Sequence, residues 1–321
     1  MSNSANQATR DRFGQTLVDI AAKDRNVVAL DCDLGRSTRA FRITEVDPGR
    51  FVEMGIAEQD MISTAAGMAS VGKTVFVNSF AVFITGRCFD QIRQQVALPK
   101  LNVKICGSSS GLTQGPDGAT HQSVVDVALM RSLPNMTVIV PADGNQTEEA
   151  IWAAYRSSGP FYIRLSRLLA GDYLPHEAAH QISKATIIRK GADAVLVSCG
   201  PISKNVILAA DRLSEQGFSI GVAIYPTVKP FDHVTLAEIA AMSERVLTVE
   251  EHSVYGGLGS AVAESIAETI LPARRVRLLR IGVNDKFGES GTAEELLRKH
   301  RLDPEGIADT VTGVLVNDKH K

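Results

Sequence analysis

Short apolar runs alternate with amphipathic segments along most of the chain, and this alternation limits the possible folds more than any other feature. Phe13, Leu17 and Ile20 recur at helical spacing before a strand-like run at 26–30, which ends in Asp31. Strand-like runs then follow at 51–54, 73–78, 101–106, 137–140 and 161–165, separated by helical patterns at 58–71, 83–95 and 145–157. The rhythm breaks once, over 168–190, a polar stretch without a clear period that contains Gly171 and Pro175. It restarts at Ala194, with strands expected at 194–199, 219–224, 245–250 and 276–281 and helices at 203–216, 236–242 and 259–270. A βαβα rhythm predicts parallel strands joined by right-handed crossovers. The expected class is therefore α/β, with two consecutive open, mostly parallel sheets, the second mixed, and helices on both faces. The expected boundaries are a first domain at 1–175, a linker at 176–190 and a second domain at 191–321. A length of 321 residues accords with two domains.

Charge and composition narrow the function classes. A net charge of −2 provides no basic field, so neither nucleic acid nor a membrane surface is expected as a partner. No apolar run reaches the roughly 18 residues of a membrane span, and the first residues are too polar for a secretory leader. Cys32, Cys88, Cys106 and Cys199 are widely spaced and read as reduced, buried thiols, which points to a cytoplasmic protein. The first strand runs into Cys32-Asp-Leu-Gly-Arg36, which is not a dinucleotide fingerprint. A Walker A motif is absent, no GxSxG nucleophile elbow is expected, and no residue cluster has metal-ligand spacing, so no metal site is expected in this chain.

Four stretches look chemical. Gly55-Ile-Ala-Glu58 lies at a strand-to-helix junction, where ligands bind in open parallel sheets. On its own Glu58 reads more simply as a carboxylate favoured by a helix N-terminus. Phe80 and Phe83 also stand where a strand gives way to a helix and could form one apolar wall, or plain core. The stretch from Cys106 to Gln122 begins at a strand end and holds Gly107, Gly111, Gly115 and Gly118, with Asp117 and His121 four residues apart. Long loops of this kind usually carry function, and histidine moves protons readily near neutral pH. Arg164 and Arg167 flank another strand end, where a guanidinium suits phosphate or carboxylate, although a solvated surface charge is the default.

Together these stretches resemble the thiamine-diphosphate enzymes of the transketolase family, and most closely the C-terminal half of transketolase. The matching segments are 51–60, 78–83, Asp90-Gln-Ile-Arg93, 115–122, Val140-Pro-Ala-Asp143, Thr248-Val-Glu-Glu-His252 and Gly256-Gly-Leu-Gly259, in order along almost the whole chain. The resemblance implies a pyrimidine-binding domain followed by a C-terminal domain that supports self-association. It further implies that a second, N-terminal subunit carries the diphosphate-binding domain, with its Gly-Asp-Gly motif and its Mg²⁺ or Ca²⁺. Glu58 becomes the carboxyl group that bonds the cofactor's pyrimidine nitrogen, Phe80 and Phe83 the wall against that ring, and Asp33 a residue that sets the cofactor's position. Asp117 and His121 become the catalytic-loop residues near the donor sugar, and Arg10, Ser37 and Arg167 the phosphate-end contacts. The likeness departs at Ser108-Ser-Ser110, where the family often has Thr-His-Asp. Ser109 thus replaces a substrate-reaching histidine, which points to an altered donor preference.

The implied reaction is transfer of a two-carbon ketol unit from a ketose phosphate to an aldose phosphate, in carbohydrate metabolism, within a heterotetramer of paired subunits. The alternatives are the β-subunit of a 2-oxo-acid dehydrogenase first component, a 1-deoxyxylulose-5-phosphate synthase-like enzyme, and a non-catalytic regulatory partner.

Overall fold

The computed structural model describes residues 7–169, 171–174, 183–270 and 274–317. In chain order the strands are β1 (Val27–Asp31), β2 (Phe51–Glu53), β3 (Thr74–Phe80), β4 (Val103–Ser108), β5 (Thr137–Ile139) and β6 (Phe161–Arg164). They continue as β7 (Thr186–Arg189), β8 (Ala194–Ser198), β9 (Ile220–Ile224), β10 (Thr227–Lys229), β11 (Arg245–Ser253) and β12 (Arg277–Val283). The first sheet runs β10-β5-β6-β4-β3-β1-β2, and the second runs β12-β11-β8-β9-β7. Each is parallel except at one edge, where β10 lies antiparallel to β5 and β7 antiparallel to β9. The architecture is α/β with two open, mostly parallel sheets.

Burial on both faces explains the inner strands. Every residue of β1, β3, β4, β6, β8 and β9 is buried, as parallel strands covered by helices on both sides require. The helix Thr9–Lys23 packs Phe13, Leu17 and Ile20 with Val27, Ala29 and Phe76 on one face of the first sheet. The helix Glu58–Ser70 packs Met61, Ile62, Ala65 and Ala69 with Val28, Leu30, Val75 and Val77 on the other. That second cluster continues through Val138 and Val140 to Val195, Val197, Ala223 and Tyr225, so one apolar core joins the two sheets.

The structure adds elements that periodicity does not reveal. β10 follows β9 of the second sheet in sequence but extends the first sheet, and is backed there by Val140 N donating to Pro226 O at 2.7 Å. β7 falls inside the stretch expected as a linker, and residues 176–182 of that stretch lie outside the described residues. The helices Asp126–Ser132, Ala293–Lys299 and Pro304–Asn317 are also new relative to the periodic reading. Over 83–97 the expected single helix is broken into wide π-type turns at Phe83–Arg87 and Ile92–Ala97 around a short α turn. Such turns re-aim side chains and occur often at functional sites.

Candidate active site at the carboxyl edge of the first sheet

Parallel strands β2, β1, β3, β4 and β6 end side by side, and the candidate residues follow those ends. Glu58 opens the helix Glu58–Ser70 three residues after the turn at Gly55, whose φ of +68° suits glycine. Its carboxylate is 2 % exposed. One oxygen accepts from Arg87 Nη1 at 2.6 Å, and the other lies 3.5 Å from the Ser79 hydroxyl at the end of β3. Phe80 and Phe83 lie with ring centroids 6.1 Å apart and planes 15° apart. His121 meets both edge-on, at 5.2 Å from Phe83 and 6.3 Å from Phe80. The Arg87 guanidinium lies over Phe83, 4.9 Å from its centroid. Glu58, Phe80, Phe83 and His121 therefore form one contiguous group, with Arg87 as the link that sequence patterning overlooks. The FDQIR segment beside it was a usable signal, but a charge partner 29 residues from Glu58 has no periodicity to reveal it.

The loop carrying Asp117 and His121 is held from the second sheet. Glu251, buried on β11, accepts from Thr113 N at 2.6 Å, and a Cβ on Gly111 would collide with its carboxylate. Burial pushes the Glu251 carboxyl upward, against the pull of Arg164 and Thr113. Gln122 Nε2 donates to Gly115 O at 3.0 Å and to Glu289 O at 2.9 Å. A Cβ on Gly288 would fall 1.8 Å from Gln122 Oε1, and one on Gly118 would fall 2.6 Å from Ser290 Oγ. Segment 288–291 thus packs closely against the loop 115–122. Asp117 is exposed and accepts a short bond from Gln114 Nε2, and His121 Nδ1 lies 2.9 Å from Thr120 Oγ1.

The basic candidates separate into two kinds. Arg10 Nη1 donates to Ser37 O at 3.2 Å, and Arg167 Nη1 donates to Gln114 O at 3.4 Å, next to the Asp117 loop. Burial lowers the Arg10 pKa, and Arg39 and Arg167 lower it further, which places these cations near one another. Arg164, in contrast, is no ligand-facing group. It is 5 % exposed and bonds Asp126 through Nε at 2.8 Å and Nη2 at 3.2 Å. Burial opposes the charge on both partners, yet the pairing prevails: Arg164 is pushed up and Asp126 is held down. Arg164 also donates to Glu251 O at 3.0 Å, so it fastens the two sheets together.

Ser109 is fully buried, with φ of +52°, and neither its hydroxyl nor that of neighbouring Ser108 has a hydrogen-bond partner among the described residues. Asp33, after β1, is exposed at φ +60°, and its N–H donates to Glu53 at 2.7 Å. No contact joins Asp33 to the Phe80–His121 group among the described residues. No group of three or more His, Cys, Asp or Glu is placed to hold a metal ion among the described residues. No helix among them is long and apolar enough to cross a membrane.

Comparison with known proteins decides the relationship. Residues 5–171 match the family model of the transketolase pyrimidine-binding domain, and residues 183–307 match that of the transketolase C-terminal domain. The chain belongs to the transketolase family. It is 41 % identical over 304 residues to a protein of Methanocaldococcus jannaschii described as a transketolase C-terminal section, covering 94 % of each chain. It is 39 % identical over 293 residues to a 6-deoxy-6-sulfo-D-fructose transketolase subunit of Clostridium sp. strain MSTE9, covering 91 % of this chain and 90 % of that one. A solved split-gene transketolase, described as an inactive β4 tetramer, superposes with a TM-score of 0.88 at 39 % identity, covering 97 % of this chain and 99 % of the other. In transketolase terms, the candidate residues lie in the pyrimidine-binding domain, and the segments that brace the Asp117 loop lie in the C-terminal domain.

Proposed function

We propose that this chain is one subunit of a two-subunit transketolase that transfers a two-carbon ketol unit between phosphorylated sugars. The observation that carries the reading is Glu58, buried at a helix N-terminus and linked through Arg87 to Phe83, whose ring stacks with that of Phe80. A buried carboxyl beside a flat aromatic wall suits the aminopyrimidine end of thiamine diphosphate: the ring rests on the wall, and its nitrogen shares a proton with the carboxyl. The Arg87 guanidinium supports this reading, since it is itself a flat nitrogen cation that lies over Phe83 and bonds Glu58. When bound, thiamine diphosphate supplies the carbon nucleophile for the transfer.

The residues of this chain then divide the remaining work. Glu58 holds a proton at the pyrimidine nitrogen, and Phe80 and Phe83 orient the ring. His121 and Asp117 orient the donor's carbonyl and hydroxyls, with Asp33 and Ser109 flanking the cofactor and the donor. Arg10, Ser37 and Arg167 receive the sugar phosphate. We assign the diphosphate end and its Mg²⁺ or Ca²⁺ to an N-terminal partner subunit, and self-association to the C-terminal half. This division is supported by the relatives described as a C-terminal section and as a subunit, and by the β tetramer described for the split-gene enzyme.

The test is reconstitution. The chain is mixed with an N-terminal transketolase subunit, thiamine diphosphate and Mg²⁺, and ketol transfer from a ketose phosphate is followed in a coupled assay. Activity is expected only in the mixture, with Glu58→Ala lowering kcat by about 10²–10⁴-fold. Full turnover by Glu58→Ala would remove the catalytic role of Glu58.

A further inference from the structure

Arg87 makes both of the contacts that the proposed cofactor ring needs. Its Nη1 lies 2.6 Å from Glu58, and its guanidinium lies over the Phe83 ring at 4.9 Å. The two partners differ sharply in exposure: the Glu58 side chain is 2 % exposed and that of Arg87 is 45 % exposed. Glu58 is therefore fixed inside, whereas Arg87 reaches it from solvent along the aromatic face. Arg87 closes the wide π-type turn Phe83–Arg87, which starts at the wall residue itself. Its main-chain carbonyl accepts from Gln59 Nε2 at 2.9 Å, which ties the Arg87 backbone to the helix that Glu58 begins. The side chain can leave while this backbone contact remains.

A guanidinium and a protonated pyrimidine nitrogen compete for the same interactions. Each is flat, each rests on an aromatic face and each donates N–H to a carboxylate. A buried carboxylate left without a partner is costly, so a chain awaiting its ligand gains by supplying one internally. We infer that Arg87 is an internal stand-in for the cofactor's pyrimidine ring: it occupies Glu58 and the Phe83 face and withdraws toward solvent when the ring enters. This inference rests on the pyrimidine-site reading above. Apparent affinity for the ring is then reduced by the fraction of chains in which Arg87 is in place.

The experiment uses the chain by itself and the free pyrimidine fragment of the cofactor, 4-amino-5-hydroxymethyl-2-methylpyrimidine, which needs neither diphosphate site nor metal. Binding is followed by ligand-observed NMR for the native chain, Arg87→Ala and Glu58→Ala. The native chain is expected to bind weakly, Arg87→Ala about five- to tenfold more tightly, and Glu58→Ala not at all. In parallel, the ¹⁵N guanidinium signals of Arg87 in the native chain report its pairing directly. They are expected to change from restrained to freely rotating as the fragment saturates the site, a readout that does not depend on a variant folding. Equal or weaker binding by Arg87→Ala, or Arg87 signals that stay restrained at saturation, would overturn the stand-in and leave the pyrimidine site intact. Binding by Glu58→Ala equal to the native chain, or none by any form, would overturn the pyrimidine-site reading and the stand-in with it.

Discussion

At the scale of single residues, burial rather than identity decides what each carboxylate does. Glu58 is buried with a cation in contact, Glu251 is buried against a backbone N–H, and Asp126 is buried in a bidentate arginine fork. Asp31, at the end of β1, pairs with no cation among the described residues. It accepts from Thr38 Oγ1 at 2.6 Å and from Leu34 N at 2.7 Å, and burial pushes its carboxyl up to about 7 despite those bonds. A raised value in the folded chain means that folding favours the protonated form. Stability from this group is therefore full below the ordinary value of 3.8 and falls as pH rises toward about 7. Asp31→Asn imitates the protonated acid and should flatten that decline. Its urea midpoint should exceed the native one at pH 8 and converge with it at pH 4, and parallel curves would contradict the assignment. Strand ends and a glycine-rich loop singled out Glu58, Phe80, Phe83, Asp117 and His121 as candidates in sequence, and the family resemblance alone suggested their roles. Arg87 and Asp31 were not, because their roles arise from which side chain folds back onto which.

At the scale of elements, the parallel strands and most of the helices between them were readable, whereas the antiparallel edge strands and the helices Asp126–Ser132, Ala293–Lys299 and Pro304–Asn317 were not. The inner strands are continuous apolar runs, and their helices carry a clear buried stripe. β10 and β7 have only three and four residues, and each owes its existence to an edge it can pair with. The bracing of the Asp117 loop by segment 288–291 was also hidden, since it depends on glycines that permit backbone contact over a separation of more than 160 residues. If this contact positions Asp117 and His121, Gly288→Ala should raise the donor KM of the reconstituted enzyme several-fold by pushing Gln122 and its loop aside. Steady-state kinetics with varied ketose phosphate measure it, and an unchanged KM would mean that the loop is positioned by other contacts.

At the scale of the whole molecule, two sheets share a core and the second domain lends β10 to the first sheet, so the C-terminal domain is built against the candidate site rather than appended to it. Sequence rhythm predicted two α/β units, but not that Glu251 and Glu289 of the second would hold the loop of the first. Glu58, Phe80 and Phe83 suit the pyrimidine end of the proposed cofactor, and the relatives described as a C-terminal section and as a subunit support placing the other half on a partner. Calorimetric titration of thiamine diphosphate with Mg²⁺ tests this directly, using the chain by itself, the N-terminal subunit by itself and an equimolar mixture. The account predicts one cofactor bound per pair of subunits in the mixture, about 100-fold or more tighter than by either chain separately. One equivalent bound by this chain alone, at the affinity of the mixture, would contradict it.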